Sequence, residues 1–158
     1  MSTTTTSKPA IDIRGLAPLI LVFDIQRSLQ FYCDVLGFEI VSSDNSGPDY
    51  GWVLLSSGKT ELMMEPIYPK DQKPAEPDAL RTAHHKDTVL YFGCPDVDAA
   101  YAHLNSKGIS VKEPKIAYYG MKQLFLCDPD GYLLCFQWPV NQQAIDEWKA
   151  RYGFQPEL

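Results

Sequence analysis

The sequence predicts an α+β fold in which two βαβββ modules form a curved sheet around a cleft, followed by a C-terminal helix. The main observation is an internal repeat. An apolar run leads to Asp24 and a helical pattern that stops at Gly37, and the same pattern leads to Asp96, 72 residues further on, and stops at Gly108. A repeat of about half the chain length indicates two copies of one unit, with a ligand site at their seam.

Composition limits the classes of protein that the chain can represent. Its 158 residues, 45% hydrophobic and 22% charged, are typical of one globular domain, and no apolar run approaches the length of a membrane span. A formal net charge of −6 argues against a nucleic-acid partner. Residues 1–15 lack the apolar core of a secretory signal, so we expect a disordered tail on a cytoplasmic protein.

The first module is predicted over residues 16–66. It begins with a strand at 16–23, after which Asp24 is placed to cap a helix that Gly37 ends. Three further strands are expected at 38–42, 50–56 and 59–65. The linker, residues 67–87, is rich in Pro, Lys, Asp and Glu without a clear period, which is typical of a connector or a functional lid.

The second module is predicted over residues 88–139 in the same order. We expect a strand at 88–93, a helix at 96–107, a strand near 109–111, and two strands at 122–127 and 132–138 around the turn Asp128–Gly131. The extension, residues 140–158, places Ile145, Trp148 and Tyr152 at helical spacing, which predicts an amphipathic helix. The four cysteines form no CxxC pair and are expected to be reduced core thiols.

Three motifs in this order resemble the vicinal oxygen chelate superfamily, which includes glyoxalase I, extradiol dioxygenases and bleomycin resistance proteins. They are the stretch 24–38, with its D-x-x-x-S-x-x-F-Y-x-x-x-L-G-F pattern, the helix start at 96–101 and the closing turn 128–132. The resemblance covers about residues 16–138. It implies the duplicated βαβββ fold, a cleft, and a homodimer in which the modules pair within or between chains.

Enzymes of this superfamily hold a divalent metal with side chains from four strands, and the resemblance places those positions in this sequence. Three of them are occupied by Ala17, Val89 and Cys135, and Glu65 is the remaining plausible ligand. Alanine and valine cannot coordinate a cation, so no metal or other cofactor is expected. The resemblance therefore favours the binding members, such as the bleomycin resistance proteins, and a role in antibiotic resistance.

Alternation along the strands predicts which side chains line the cleft. The predicted ligand-binding residues are Leu19, Trp52, Met63, Glu65, Tyr91, Leu133, Cys135 and Gln137. This mostly apolar floor predicts metal-independent binding of an apolar or aromatic small molecule. Since Glu65 is its one charge, ligands that carry an amine are expected to bind better than anions.

An enzyme remains the alternative. Glu65 could serve as a metal ligand or as the base of a glyoxalase- or dioxygenase-like lyase, isomerase or oxygenase, and no other catalytic residue is assigned. His84 and His85 are expected to be solvated loop residues, although they could join the cleft. Cys135 is expected to fill the core, because no motif supplies a base that would activate its thiol.

Overall fold

The structure is a computed structural model that describes residues 11–45 and 47–153, so residues 1–10 of the predicted tail lie outside the described residues. The chain forms the following elements. In order they are β1 (Leu19–Val22), α1 (Ile25–Leu29), β2 (Glu39–Ser43), β3 (Val53–Ser57), β4 (Thr60–Pro66), α2 (Ala79–His84), β5 (Val89–Gly93), α3 (Val97–Ser106), β6 (Lys115–Ile116), β7 (Met121–Cys127), β8 (Leu133–Pro139) and α4 (Gln142–Tyr152).

The strands form two four-stranded sheets with the same topology. The first has the order β1-β4-β3-β2 and the second the order β5-β8-β7-β6. The first and last strand of each module pair in parallel, and the remaining pairs are antiparallel. This arrangement confirms the predicted α+β class and both βαβββ modules. Among the described residues, no helix is both long and apolar enough to cross a bilayer.

The predicted helix caps are confirmed. Asp24 accepts a hydrogen bond from Arg27 N at 3.0 Å, and Asp96 accepts one from Ala99 N at 2.8 Å. The helix after Asp24 is not uniform, because α1 continues as a π-helical segment, Gln30–Val35, before Gly37 ends it with a φ of 79°. A left-handed residue at this point is the usual helix stop.

Two expectations about local structure were wrong. No strand forms near residues 109–111, and the corresponding strand is the two-residue β6, Lys115–Ile116. The linker contains a helix that was not predicted, since Asp78 caps α2 by accepting from Leu80 N and Arg81 N, and a 3₁₀ turn, His85–Asp87, follows. The expectation that the cysteines are core thiols was wrong for Cys127, which is exposed, whereas Cys135 is fully buried.

The hydrophobic core lies on the helix side of both sheets. Alternate strand residues point into it, among them Val22 of β1, Val53 of β3, Met64 of β4 and Leu134 of β8, all fully buried. Strand residues of the opposite parity form the other side of each sheet, which we call the first and second open faces. The first carries Leu19, Leu21, Trp52, Leu54, Met63 and Glu65, and the second carries Tyr91, Gln123, Phe125, Leu133, Cys135 and Gln137.

The turn 128–131 joins the two modules, and we call it the clasp. Tyr32 Oη of the first module donates to Asp128 Oδ2 at 2.9 Å, and Phe23 N donates to Asp130 Oδ1 at 2.8 Å. Both carboxyl side chains are buried. Gly131 has a φ of +88°, and a Cβ there would lie 2.6 Å from Thr82 O of α2. The turn therefore fits closely between the linker helix and the first module.

The linker packs onto this turn through Arg81 and His85. Arg81 donates to Asp130 Oδ2 at 3.1 Å and to the carbonyl of Leu21. The His85 ring stacks on Tyr132 with centroids 3.9 Å apart, and its Nδ1 lies 2.6 Å from Asp130 O. The expectation that His85 is solvated was wrong, since its side chain is only 11% exposed. Its position beside a buried turn gives it a role in module packing.

Candidate functional site

A cavity of about 480 Å³ lies between the second open face and α4. Three of the second module's elements contribute to it, namely β5, β7 and β8, together with the loop before β7. Asn141 caps α4 by accepting from Ala144 N at 2.8 Å, and this cap sets where the helix begins over the sheet. The lining residues are Tyr91, Tyr118, Tyr119, Met121, Gln137, Ala144, Glu147, Trp148, Arg151 and Tyr152.

Aromatic rings form most of the apolar wall. Trp148 lies 5.1 Å from Trp138 and 4.7 Å from Tyr152, measured between ring centroids. Gly93 of β5 lies against the same ring, at a distance where a Cβ would make an ordinary van der Waals contact of 3.5 Å. Rings that surround an open space can stack on a planar guest, and such contacts add to the free energy gained from apolar burial.

The polar part of the wall includes Gln137, which is held by its neighbour Gln123. Gln123 Nε2 donates to Tyr119 Oη and to Gln137 Oε1, each at 2.8 Å. Gln123 and Gln137 are paired residues on β7 and β8, so the sheet register holds the two amides side by side. Glu147 and Arg151, one turn apart on α4, place opposite charges at the cavity.

The thiol of Cys135 lies deeper on the same face. Its register partners are Tyr91 on β5 and Phe125 on β7, whose rings pack edge to face with centroids 6.3 Å apart. Burial raises the pKa of the Cys135 thiol to about 12, because a thiolate would lose its hydration there. A thiol with this pKa is protonated near neutral pH, which agrees with a packing role rather than a nucleophilic one.

The structure distributes the predicted ligand-binding residues over two surfaces. Tyr91 and Gln137 line the cavity, with Cys135 and Leu133 on the same face. Leu19, Met63, Glu65 and Trp52 lie instead on the first open face. Continuing the register of Val53 with Met64 by one residue places Trp52 across from Glu65.

Both open faces remain accessible to solvent. Leu19 and Leu21 of the first face are 42% and 38% exposed, and Tyr91 and Phe125 of the second are 53% and 40% exposed. Apolar strand residues with this exposure form surface that a ligand or another chain can cover.

The register also tests whether the positions of the superfamily's metal ligands fit an ion. Leu19 pairs with Met63 just as Tyr91 pairs with Cys135. Leu19 lies two residues after Ala17, and Tyr91 lies two residues after Val89. The counterpart of Cys135 is therefore Met63, and Glu65 is the counterpart of Gln137. By this symmetry Met63 occupies the position equivalent to Cys135, and the predicted candidate Glu65 lies two residues further along β4 on the same face.

The resulting donor set does not fit a glyoxalase-type ion. Ala17 and Val89 offer no lone pair, Met63 offers a thioether, and Cys135 a thiol with a raised pKa. Among the described residues, no group of three or more His, Cys, Asp or Glu side chains could hold a metal ion. No step through a metal at these positions can be derived.

Sequence reasoning missed part of the cavity wall. Trp148 and Tyr152 were recognised only as the apolar side of a helix, and Glu147 and Arg151 were not singled out. The helical spacing of residues 145, 148 and 152 was the available signal. It predicts an apolar helix face that packs on the sheet or on a neighbouring subunit, but not that this helix lines a cavity.

Comparison with known proteins shows the family. Residues 16–136 match the profile of the Glyoxalase/Bleomycin resistance protein/Dioxygenase superfamily. The uncharacterized protein YaeR of Escherichia coli (strain K12) is 33% identical over 117 residues, which is 71% of this chain and 85% of YaeR.

Two solved structures show the same fold. One is TnmS3, an antibiotic binding protein from Streptomyces sp. CB03234, with 22% identity, a TM-score of 0.61, and coverage of 82% of this chain and 99% of TnmS3. The other is a bleomycin resistance determinant encoded on the transposon Tn5, with 24% identity, a TM-score of 0.60, and coverage of 82% and 99%. At this level of identity, the comparison concerns the fold alone.

Proposed function

This chain belongs to the Glyoxalase/Bleomycin resistance protein/Dioxygenase superfamily, and we propose that it binds an aromatic or apolar small molecule without a metal ion. The site is the cavity between the second open face and α4. The observation that carries this proposal is the aromatic wall of Tyr91, Trp148 and Tyr152 around about 480 Å³ of space. Concave sites of this size that combine aromatic side chains with placed polar groups are typical of small-molecule binding.

The donor set of the superfamily's metal positions supports binding over metal-dependent catalysis. Ala17, Val89 and Cys135 stand at predicted positions where a hard ion would need carboxylate or imidazole. The resemblance of the fold to an antibiotic binding protein and to a bleomycin resistance determinant supports a ligand-sequestering role, and an antibiotic is one ligand class to test.

We also propose that two copies associate. Exposed apolar side chains on both open faces, such as Leu21 and Phe125, would be buried by a second copy. In this proposal, association also brings the remaining predicted residues to the ligand. The first open face of one copy, with Leu19, Trp52, Met63 and Glu65, would contact a ligand that is bound in the cavity of the other copy. Sedimentation equilibrium at micromolar concentration is expected to give twice the chain mass, and a monomer mass would contradict the association.

Binding itself is tested by isothermal titration calorimetry with the tricyclic aromatic ketone fluorenone, before and after treatment with EDTA. We expect saturable binding that chelation leaves unchanged. Trp148→Ala should weaken binding about tenfold, because the ring loses its stacking partner. Gln142→Ala, an exposed residue on the same helix, is the matched control and should bind as the unmodified chain does.

Two outcomes would contradict the proposal. Loss of fluorenone binding after EDTA treatment would show that an ion takes part. Equal affinity of the Trp148→Ala and unmodified proteins, with both folded by circular dichroism, would place the ligand elsewhere.

A further inference from the structure

Two polar groups of the cavity wall, Tyr119 Oη and Gln137 Oε1, both act as hydrogen-bond acceptors from the same donor. Gln123 uses its amide nitrogen for both Tyr119 Oη and Gln137 Oε1. The oxygen of the Gln137 amide is thus engaged as an acceptor, and its NH₂ group is the part that remains to donate. Tyr119 likewise accepts through its oxygen and keeps its O–H as a donor.

Both donors belong to residues that line the cavity. Gln137 and Tyr119 contribute to its wall, whereas Gln123 lies beside Gln137 on β7 and holds both groups through its amide nitrogen. A ligand that fills the cavity takes these groups out of water. It then has to supply acceptors, since a buried donor without a partner costs more free energy than a net hydrogen bond provides.

The charges at the cavity do not favour a cation. Glu147 and Arg151 line it together and have opposite signs. Glu65, the carboxylate that led to the expectation of an amine, lies on the first open face, and its counterpart on the second face is the amide Gln137. Repeat-equivalent positions thus carry an acceptor on one face and a donor on the other.

We propose that the ligand is a planar aromatic carbonyl compound, whose oxygen accepts hydrogen bonds from Gln137 Nε2 and Tyr119 Oη while its rings stack between Tyr91 and the aromatic side chains of α4. This inference rests on the proposed function and specifies its ligand class. Gln123 is a positioning residue, because it acts by orienting the amide of Gln137 and the hydroxyl of Tyr119.

The test compares two probes that differ in the acceptor alone, fluorenone and fluorene, by titration calorimetry against three variants. Gln137→Met keeps a side chain of similar length without donors. Gln137→Glu keeps the shape and replaces the free donor by an acceptor. Gln72→Met makes the first substitution at an exposed position in the linker and serves as the control.

The preference for the ketone, expressed as the ratio of the two dissociation constants, is the quantity compared. We expect Gln137→Met to lower it about three- to tenfold relative to the unmodified chain, the range for one hydrogen bond. Gln137→Glu should lower it at least as far, and Gln72→Met should leave it unchanged. The two probes differ in hydrophobicity, but this difference affects the ratio equally in every variant. It therefore cancels when the ratio of a variant is compared with that of the unmodified chain.

Failure of this inference is distinguishable from failure of the proposed function. If both probes bind and Gln137→Met and Gln137→Glu leave the ratio unchanged, the donor wall does not select the ligand, although the cavity binds aromatics. If neither probe binds the unmodified chain, the cavity is not an aromatic site and both proposals are wrong.

Discussion

The two open faces have the same register and different side chains at equivalent positions. The first carries Leu19, Met63 and Glu65 where the second carries Tyr91, Cys135 and Gln137. The second face also has α4 beside it, and the two together line a cavity that is open to solvent, since Tyr91 is 53% exposed. The backbone repeat alone therefore does not produce a site. An added helix and a few substitutions on one copy are what give the second module its cavity.

The hairpins of the two modules differ in a similar way. β3 and β4 are joined by a two-residue loop. Ser57 and Thr60, the residues on either side of this loop, pair with each other. In the second module the corresponding pair is Asp128 and Tyr132, whose backbones are hydrogen bonded at 2.9 Å. The three residues between them make room for the clasp. The first hairpin only connects two strands of its own sheet. The second hairpin also joins the second module to the first.

The largest expected effect comes from breaking the clasp. Asp128→Ala removes the acceptor of Tyr32 Oη, Asp130 N and Tyr132 N, which donate to it at 2.9, 2.9 and 2.8 Å. Leaving buried donors unsatisfied should lower the free energy of unfolding by about 3 kcal/mol or more. Urea denaturation measures the loss.

Ser57→Ala, at the equivalent position of the first hairpin, is the matched control and should change stability by less than about 0.5 kcal/mol, as exposed substitutions usually do. If the two variants were equally stable, the second hairpin would have no special role in joining the modules.

The thiols of the second module should differ in reactivity. Cys135 is buried with a pKa of about 12, and Cys127 at the end of β7 is exposed. Iodoacetamide at pH 8 should therefore label Cys127 well before Cys135, as read by peptide mass spectrometry. Labelling of Cys135 should accelerate about tenfold per pH unit up to pH 10, since its thiolate fraction is still rising there. Rapid labelling of Cys135 at pH 8 would revive the nucleophile interpretation.

A smaller effect concerns the pH dependence of the clasp. Burial raises the pKa of Asp128 above its ordinary value of 3.8, because the surroundings disfavour the charged form. Folding then favours the protonated carboxyl. Its contribution to stability is complete below pH 3.8 and is lost as the pH rises through the pKa of the folded state.

The unmodified chain should therefore lose stability relative to Asp128→Asn as the pH is raised over this window. Thermal denaturation of both proteins, measured from pH 3.5 upward, gives the difference directly. A difference that grows in favour of the unmodified chain would mean that its hydrogen bonds outweigh burial.

The fold was predictable because its signals are local and repeated. The caps at Asp24 and Asp96, the stop at Gly37 and the turn at 128–131 each have a short-range physical cause, and their order gave both modules. The linker helix α2 was missed, since its six residues are too few to show a period, and it is held by a cap and by contacts of Arg81 with residues far along the chain.

The site was predictable only in part. Strand alternation correctly grouped Tyr91 with Gln137, because that grouping depends on period alone. It could not say that the cavity would form at α4 rather than at a seam lined by Glu65. Which surface the Trp148 side of a helix covers is decided by tertiary packing, here by the contact of its ring with Trp138.

The central claim is that the second open face beneath α4 is the binding site, and chemical-shift mapping tests it most directly. Amide spectra of ¹⁵N-labelled protein titrated with fluorenone should show the largest changes in residues 118–121, at Gln137 and along α4. If the largest changes fall instead on residues 52–54 and 61–65 of the first open face, with α4 unaffected, the ligand does not bind in this cavity.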